Sequence, residues 1–551
     1  MLLWMGTAWA GGGPQNVMVL YNIDVGAAGD VAAYYAEARD LPPGHLCGIS
    51  GIAETETDLS LEDYKTWVLA PLDDCLAALP QPEDIDYLVV VRGLPYRVEA
   101  GGYTVSLSAA LQVYRTPSPE DSSRLLIDDG HPDGYAYVYN PYYKIGNKAD
   151  FDLESPYAVW YTSASAISNA SAQPTPFERE TAPPGFGENL FIVTRLDGFD
   201  FQDAYDVVDR GVAADGSFPA ADFLCMDGAD SARGARDPEC EYAIRRLQSL
   251  GRSATWVSPF DGGLSGHEVI AYFTGAADVR GGIDGLTYAP GAITCNLTSY
   301  GAVPNNFFCD ETGETCPERE SQTSMARFIR AGATGAHGTV NEPYNNVFPN
   351  AGAMMLYGLG YSLGESYFNN QLFLYWQNLY IGDPLATPYQ ERPEVAVAEK
   401  TTPVNVPITA SATHPDGIQQ MRLYADDVLV AEEEGDLLSW TPSGYAAGRT
   451  LELRVVAEAA DVSQEVTGWD QQLILVRSRT QGWSLSTLAL TDAVDLPSDT
   501  GDSGEPEDDD SGGGGEGNDT PEDCGCASSS GALGGVWALA LVALVGRRRQ
   551  P

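Results

Sequence analysis

Apolar positions along this chain fall into two rhythms, one before about residue 390 and one after it. In the first, continuous apolar runs alternate with amphipathic ones. Residues 16–22 and 85–91 read as strands buried on both faces, because polar and apolar positions do not alternate there. Between them, 30–39 sets Val31, Tyr34, Tyr35 and Ala38 on one helical stripe, and 59–79 reads as a helix opened by Ser60 and closed near Pro80. The pattern resumes after a Tyr/Pro/Ser-rich insertion over about 115–187. Strands are expected at 191–196, 254–257, 269–273 and 291–297, and helices at 201–212, 243–250, 322–330 and 353–368. Strands alternating with helices call for an α/β fold: a mostly parallel sheet with helices on both faces.

Past residue 394 the runs shorten and alternate, at 394–398, 404–412, 418–424, 428–432, 451–458 and 470–476. Turn signals such as Pro415-Asp416-Gly417 separate them. Short strands at this spacing, with Trp440 as a core aromatic, predict an all-β immunoglobulin-like sandwich. The expected organisation is a signal-peptide remnant at 1–13, an α/β domain at 14–389 and the sandwich at 390–478. An acidic Gly-rich linker at 479–523 and a tail at 524–551 complete it.

Charge narrows the partners. Across 551 residues the formal net charge is −48, with 30 Lys+Arg against 78 Asp+Glu. A field of that sign repels phosphate backbones, so nucleic acid is excluded as a partner. With 44% hydrophobic and 10% aromatic residues the chain has ample material for a core.

The ends speak to compartment. Met1–Ala10 is a short apolar run ending in Ala8-Trp9-Ala10, the small-x-small pattern that precedes signal-peptide cleavage; an ordinary buried N-terminus is the alternative. Residues 498–523 hold eleven acidic groups and no basic one, which predicts an extended, solvated spacer. Then come Cys524-Gly525-Cys526, a twenty-residue stretch with thirteen apolar positions over 527–546, and Arg547-Arg548-Arg549. As a helix at ~1.5 Å per residue that stretch spans about 30 Å, one hydrocarbon thickness. The arginines favour the cytoplasmic side, so the body is expected outside.

This tail resembles the MYXO-CTERM sorting signal of myxobacterial surface proteins. The resemblance implies a myxosortase-like sorting protease as partner, removal of the transmembrane helix, and anchoring near Cys524 or Cys526. A permanent single-pass membrane anchor is the alternative. Both put the body at the cell surface.

Cysteine usage agrees with export. Setting the tail aside, Cys47/Cys75, Cys225/Cys240 and Cys309/Cys316 are the expected disulfide pairs, which leaves Cys295 single. No zinc-finger spacing occurs, and no phosphate loop or dinucleotide fingerprint follows the first strand, so no cofactor is expected.

Candidate chemistry gathers in Gly-rich turns, since open α/β sheets build their sites at strand carboxyl ends. Gly332-Ala-Thr-Gly-Ala-His337-Gly-Thr-Val-Asn-Glu342-Pro343-Tyr344 is the most informative block, and Ile381-Gly-Asp383-Pro384-Leu385 follows it. With Gly93-Leu-Pro95-Tyr-Arg97 and Arg195-Leu-Asp197-Gly198, these motifs resemble a bacterial exported family without an assigned activity. That family carries GATGxxGxVxEPY and a closing GDPLxxP(F/Y). More distantly, the α/β region is similar to gingipain-type, caspase-like peptidases. Their catalytic pair is a His-Gly after one strand and a Cys at the end of the next. This chain has Thr274-Gly275 at the first position and Cys295 on the next strand.

A thiol needs a nearby imidazole or positive charge to act as a nucleophile. His337, read as lying in a Gly-rich turn, and His267 are the candidates to serve Cys295. Glu342 and Asp383 are acid/base candidates if they face each other across a cleft. Asp200 reads as a helix N-cap, and Asp197, Asp200 and Asp203 lack EF-hand spacing for calcium. The reading favoured by sequence is an exported, surface-anchored binding or structural module. The alternative is an exported hydrolase of cysteine-peptidase type around Cys295, His337, Glu342 and Asp383.

Overall fold

The structure, a computed structural model, describes residues 12–100, 103–114, 138–140, 160–161, 175–176, 190–308, 322–374, 376–460, 462–467, 473–478 and 480–494. The signal-peptide residues 1–11, most of the insertion over 115–187, the pair Cys309/Cys316, the acidic linker from 495 and the sorting tail lie outside the described residues. Residues up to Val494 belong to one compact unit.

Ten strands form one large, mostly parallel sheet: β1 Val17–Asn22, β2 Leu46–Ile49, β3 Tyr87–Val91, β4 Ile192–Leu196, β5 Asp222–Gly228, β6 Ala254–Val257, β7 Glu268–Gly275, β8 Thr287–Asn296, β9 Gly335–Thr339 and β10 Asn378–Ile381. Their order is β6-β5-β7-β8-β9-β10-β4-β3-β1-β2. β10 runs antiparallel to β9 and meets β4 through one bridged pair, Ile381 with Arg195. Arg92, just after β3, donates to the carbonyl of Phe307 in the loop after β8, at 3.2 Å. The carboxyl ends of β3 and β8 therefore open on the same side.

The continuous apolar runs are explained by burial on both faces. Val17 and Val19 face one core layer with α1 (Gly26–Ala38), whereas Met18 and Leu20 face another. Across the sheet, Leu224 and Met226 join the first layer. Phe223 and Cys225 turn to a third, built with α3 (Asp237–Ser249), α5 (Gly352–Gly358) and α6 (Leu363–Phe368). α2 (Phe201–Ala214) and α4 (Met325–Arg330) cover the α1 side. Two disulfides, Cys47–Cys75 and Cys225–Cys240, each staple a strand to a helix, as the spacing suggested.

Four sheet strands, β2, β5, β9 and β10, are not among those expected from sequence, and three further elements differ from the sequence reading. The helix expected at 353–368 breaks into α5 and α6, because Gly360 sits at φ 104 and Ser362 starts a new capping box with Glu365. The helix expected over 322–330 is confined to α4, because Ser324 caps it by accepting from Ala326 N at 3.2 Å. The third is Gln481–Thr491, which reads like a polar transition but is a full strand, with Leu488 and Leu490 buried.

Beyond Glu394 the described residues form two larger β-sheets and a separate antiparallel pair, Val462–Thr467 with Leu473–Ser478. One larger sheet orders Glu394–Val397, Ile408–Thr413 and Leu437–Trp440. The other orders Thr401–Pro403, Gln481–Thr491, Thr450–Ala459, Ile418–Ala425 and Val428–Glu434. Ala410 and Leu438 of the first share a core with Leu423, Val455 and Leu488 of the second. This module is tied to the α/β body by Arg392 to Asp215 at 2.9 Å, Tyr424 OH to Asp84 at 3.0 Å and Trp483 Nε1 to Asp40 at 3.1 Å.

Candidate functional site

Parallel pairing of β8 with β9 sets Cys295 beside His337. In a parallel ladder, residues in register put their side chains on the same face. Cys295 Sγ lies 3.4 Å from His337 Nδ1. The other ring nitrogen, Nε2, lies 2.8 Å from Oδ1 of Asn378, the first residue of β10. An amide oxygen only accepts, so Nε2 carries the proton and bare Nδ1 faces the thiol.

A fourth side chain completes the group. Arg236, from the turn before α3, donates from Nη1 to Cys295 Sγ at 3.0 Å and from Nη2 to Thr274 O at 2.7 Å. Its guanidinium lies 5.3 Å above the Phe273 ring. Among the described residues no carboxylate comes within ion-pairing distance of it. Glu239, one turn into α3, feels its charge. Burial pushes the Glu239 carboxyl up to about 7, with Arg236 opposing.

The cluster is closed to solvent. Cys295 is 1% exposed, His337 2%, Asn378 1% and Arg236 5%. Burial raises the thiol, and the neighbouring Arg236 only partly offsets this. Burial also drives His337 down to about 3. At neutral pH the thiol keeps its proton and the imidazole is uncharged. Such a pair has the connectivity of a relay and the protonation of a core network.

His337 lies within β9 rather than in a turn after a strand. The glycines around it serve close packing: a Cβ on Gly335 would meet Leu363 Cδ1 at 2.7 Å, and one on Gly338 would meet Met325 Sδ at 2.8 Å. His267 is engaged elsewhere, 3.0 Å from Asp222 at the start of β5.

Glu342 and Asp383 are not brought together. They follow β9 and β10, which are antiparallel, so their turns leave opposite edges of the sheet. Glu342 accepts a bond from Ser299 Oγ at 2.7 Å on the exposed rim, beside Tyr300 at φ 62. Asp383 is fully buried and holds Arg39 Nε at 2.7 Å and Tyr35 OH at 2.9 Å. Asp200 is the N-cap of α2, accepting from Asp203 N at 3.1 Å. Asp197 pairs with Arg92 and Arg195, and Asp203 with Arg330, so arginines occupy these carboxylates.

At Thr274-Gly275, after β7, the rim is roofed. Thr274 is 2% exposed, and a Cβ on Gly275 would meet Arg233 O at 2.6 Å. Asn296 clamps the same turn, its Oδ1 accepting from Ala276 N at 2.8 Å and its Nδ2 donating to Ala276 O at 2.9 Å. A cleft of about 660 Å³, lined in part by Asp215, Arg392, Glu394 and His414, adjoins the body–module junction; none of the sequence-selected residues lines it. Among the described residues no cluster of His, Cys, Asp or Glu could hold a metal, and no helix is long and apolar enough to cross a membrane.

Sequence reading missed Arg236 and Asn378. Asn378 had a signal, a polar residue opening the apolar run Asn378-Leu-Tyr-Ile381. Arg236 sat in an ordinary charged turn and had none.

Fold and site together define an α/β protein with a large, mostly parallel sheet, followed by β-sheets and carrying an occluded Cys–His–Asn group. No family model matches the chain, and no curated protein does. Among solved structures it is distantly similar to gingipain R, an Arg-specific cysteine proteinase: 11% identity, TM-score 0.41, over 88% of this chain and 99% of that one. A complex of the pro- and mature domains from Porphyromonas gingivalis matches at 11% identity and TM-score 0.35, over 86% of this chain and 100% of that one. Fibronectin(III)-like modules of CbhA from Clostridium thermocellum cover 18% of this chain and 99% of their own, at 15% identity and TM-score 0.13. Likeness at these scores carries no argument about chemistry.

Proposed function

We propose that this chain is an exported binding or structural protein, anchored at the cell surface by its C-terminal tail, with an α/β body and an immunoglobulin-like module. One observation carries the reading against a working peptidase. The only free cysteine among the described residues, Cys295, is 1% exposed and holds its proton. A nucleophile must meet its substrate as a thiolate, and this one does neither. The net charge of −48, the two disulfides and the Cys524-Gly525-Cys526 tail support an oxidising, extracytoplasmic location with a sorting protease as processing partner. The test is to treat the purified exported chain with an electrophilic cysteine-peptidase probe, using Cys295→Ala as control. Equal background in both chains is expected. Labelling that disappears in the Cys295→Ala chain would overturn the reading.

A further inference from the structure

The binding-protein reading leaves one buried group unused. We propose that Cys295, His337 and Asn378 form an occluded relay for acyl transfer from ester or amide substrates, closed by the segment 343–351. This goes beyond the surface-protein reading, which concerns the closed chain alone.

Three observations support it. The hydrogen bonds point one way: Asn378 Oδ1 fixes the proton on Nε2, and Nδ1 is left to take the proton of Sγ, 3.4 Å away. The group is also unfinished as a core network. Asn378 Nδ2, Thr339 Oγ1 and Tyr380 OH have no hydrogen-bond partner among the described residues, and each residue is at most 2% exposed. An apolar replacement would avoid that cost, about 1–3 kcal/mol for each buried unsatisfied group. Finally, Arg236, which makes no ion pair among the described residues, places a positive charge 3.0 Å from Sγ. A neutral thiol gains little from it and a thiolate gains much.

The cover is local. Its only regular element is a single turn of 3-10 helix, Asn345–Val347. Its tethers include Asn345 Nδ2 to Ala232 O at 2.7 Å, Arg236 Nη1 to Pro349 O at 3.3 Å, Ala351 N to Glu239 Oε2 at 3.4 Å and Asn350 N to Asn370 O at 2.8 Å. Phe348 stands edge-on to the His337 ring, centroids 5.2 Å apart. The ionisable groups around the relay are Arg236, Glu239, Tyr367 and Tyr380. Burial is what raises the thiol and depresses the imidazole, so admitting water relaxes both. For the thiol only the lowering influence of Arg236 then remains.

With the segment displaced, Sγ gives its proton to His337 Nδ1 and attacks the substrate carbonyl carbon. An S–C bond forms as the C–O or C–N bond breaks, and Nδ1–H returns the proton to the leaving atom. Water, deprotonated by the same nitrogen, then cleaves the thioester and restores the thiol.

The experiment compares the full exported chain with Phe348→Ala, with and without His337→Gln. It follows iodoacetamide alkylation of the Cys295 peptide by mass spectrometry at pH 7, and p-nitrophenol release from p-nitrophenyl acetate. Alkylation should be at least about tenfold faster in Phe348→Ala than in the native chain and fall about tenfold on adding His337→Gln. A burst of one p-nitrophenol per chain should require Cys295. Alkylation at equal rates with and without His337, or no burst, overturns the relay and leaves the binding-protein reading standing. A native chain that already labels overturns the occlusion together with that reading. If Phe348→Ala does not fold, Asn345→Ala cuts an exposed tether instead. Hydrogen exchange over 343–351 then reports opening, and the same two outcomes decide.

Discussion

Two buried polar clusters in the body differ in how their charges are balanced. Around Asp383, two arginines face two aspartates. Arg39 binds Asp383 through Nε and Nη2 and Asp215 through Nη1 at 2.6 Å, while Arg392 reaches Asp215 at 2.9 Å. Around Cys295, one arginine faces a thiol and carbonyl oxygens, and an amide nitrogen has no partner among the described residues. A balanced cluster is what a clamp needs, and this one locks the end of α1 to the turn after β10. An unbalanced cluster costs stability without adding a clamp, as the proposed relay requires.

The largest expected effect follows from breaking the clamp. Asp383→Asn takes one of its two carboxylates from Arg39, whose side chain is only 3% exposed, and leaves Asp215 alone to balance both Arg39 and Arg392. Removing one partner of a buried pair costs about 3–5 kcal/mol. Urea titration should show that loss, with Asp215 unable to make it good because burial raises its carboxyl and Arg39 and Arg392 must already hold it low. A loss below about 1 kcal/mol would mean that the cluster is no clamp.

Acid behaviour separates the members of the second cluster. Unfolded histidine titrates near 6.5, and folded His337 near 3. The unfolded chain therefore binds more protons between these values, and the stability due to a neutral His337 is present above pH 6.5 and lost as pH falls toward 3. Glu239 has the opposite sign. Its carboxyl titrates near 7 when folded against 4.5 ordinarily, so its contribution is lost as pH rises from about 4.5 to 7. His45, lowered to about 4, and Asp86, raised to about 7, repeat the two signs outside the cluster. Relative to the native chain, His337→Gln should be penalised less as pH drops below 6.5. Glu239→Gln should gain as pH rises toward 7. Each difference should approach about 1.4 kcal/mol per pH unit within its window. Parallel pH–stability curves for either variant and the native chain would remove the burial argument.

Most of the scaffold could be read in one dimension, because strands covered on both faces must be apolar throughout. Val17–Asn22 and Tyr87–Val91 are such strands. The disulfide partners were also local enough to guess, 28 and 15 residues apart. The relay was harder to read. Cys295 and His337 are 42 residues apart and Asn378 another 41, and only the sheet order β8-β9-β10 lines them up. The glycines beside His337 were read as a turn because a glycine needed for packing looks, in sequence, like one needed for flexibility. Asp383 looked functional because a carboxylate in a Gly-Asp-Pro turn gives no hint that Arg39, 344 residues earlier, will neutralise it.

The smallest effect belongs to the rim, and it sharpens the contrast between clamp and relay. Ser299 Oγ and Glu342 make a hydrogen bond at 2.7 Å where both groups meet solvent, and Tyr300 beside them holds φ 62. This is where an open α/β sheet would ordinarily carry its chemistry, so it is the natural rival to the buried relay. Among the described residues it has no imidazole as a hydrogen-bond partner and no buried charge to activate the hydroxyl. Water replaces an exposed bond of this kind, and Ser299→Ala should change stability by no more than about 0.5 kcal/mol. In the Phe348→Ala background it should also leave p-nitrophenyl acetate release unchanged, whereas Cys295→Ala abolishes the burst. If Ser299→Ala removed the release instead, the hydroxyl on the rim would be the nucleophile, and the polar group beneath α5 and α6 would be packing.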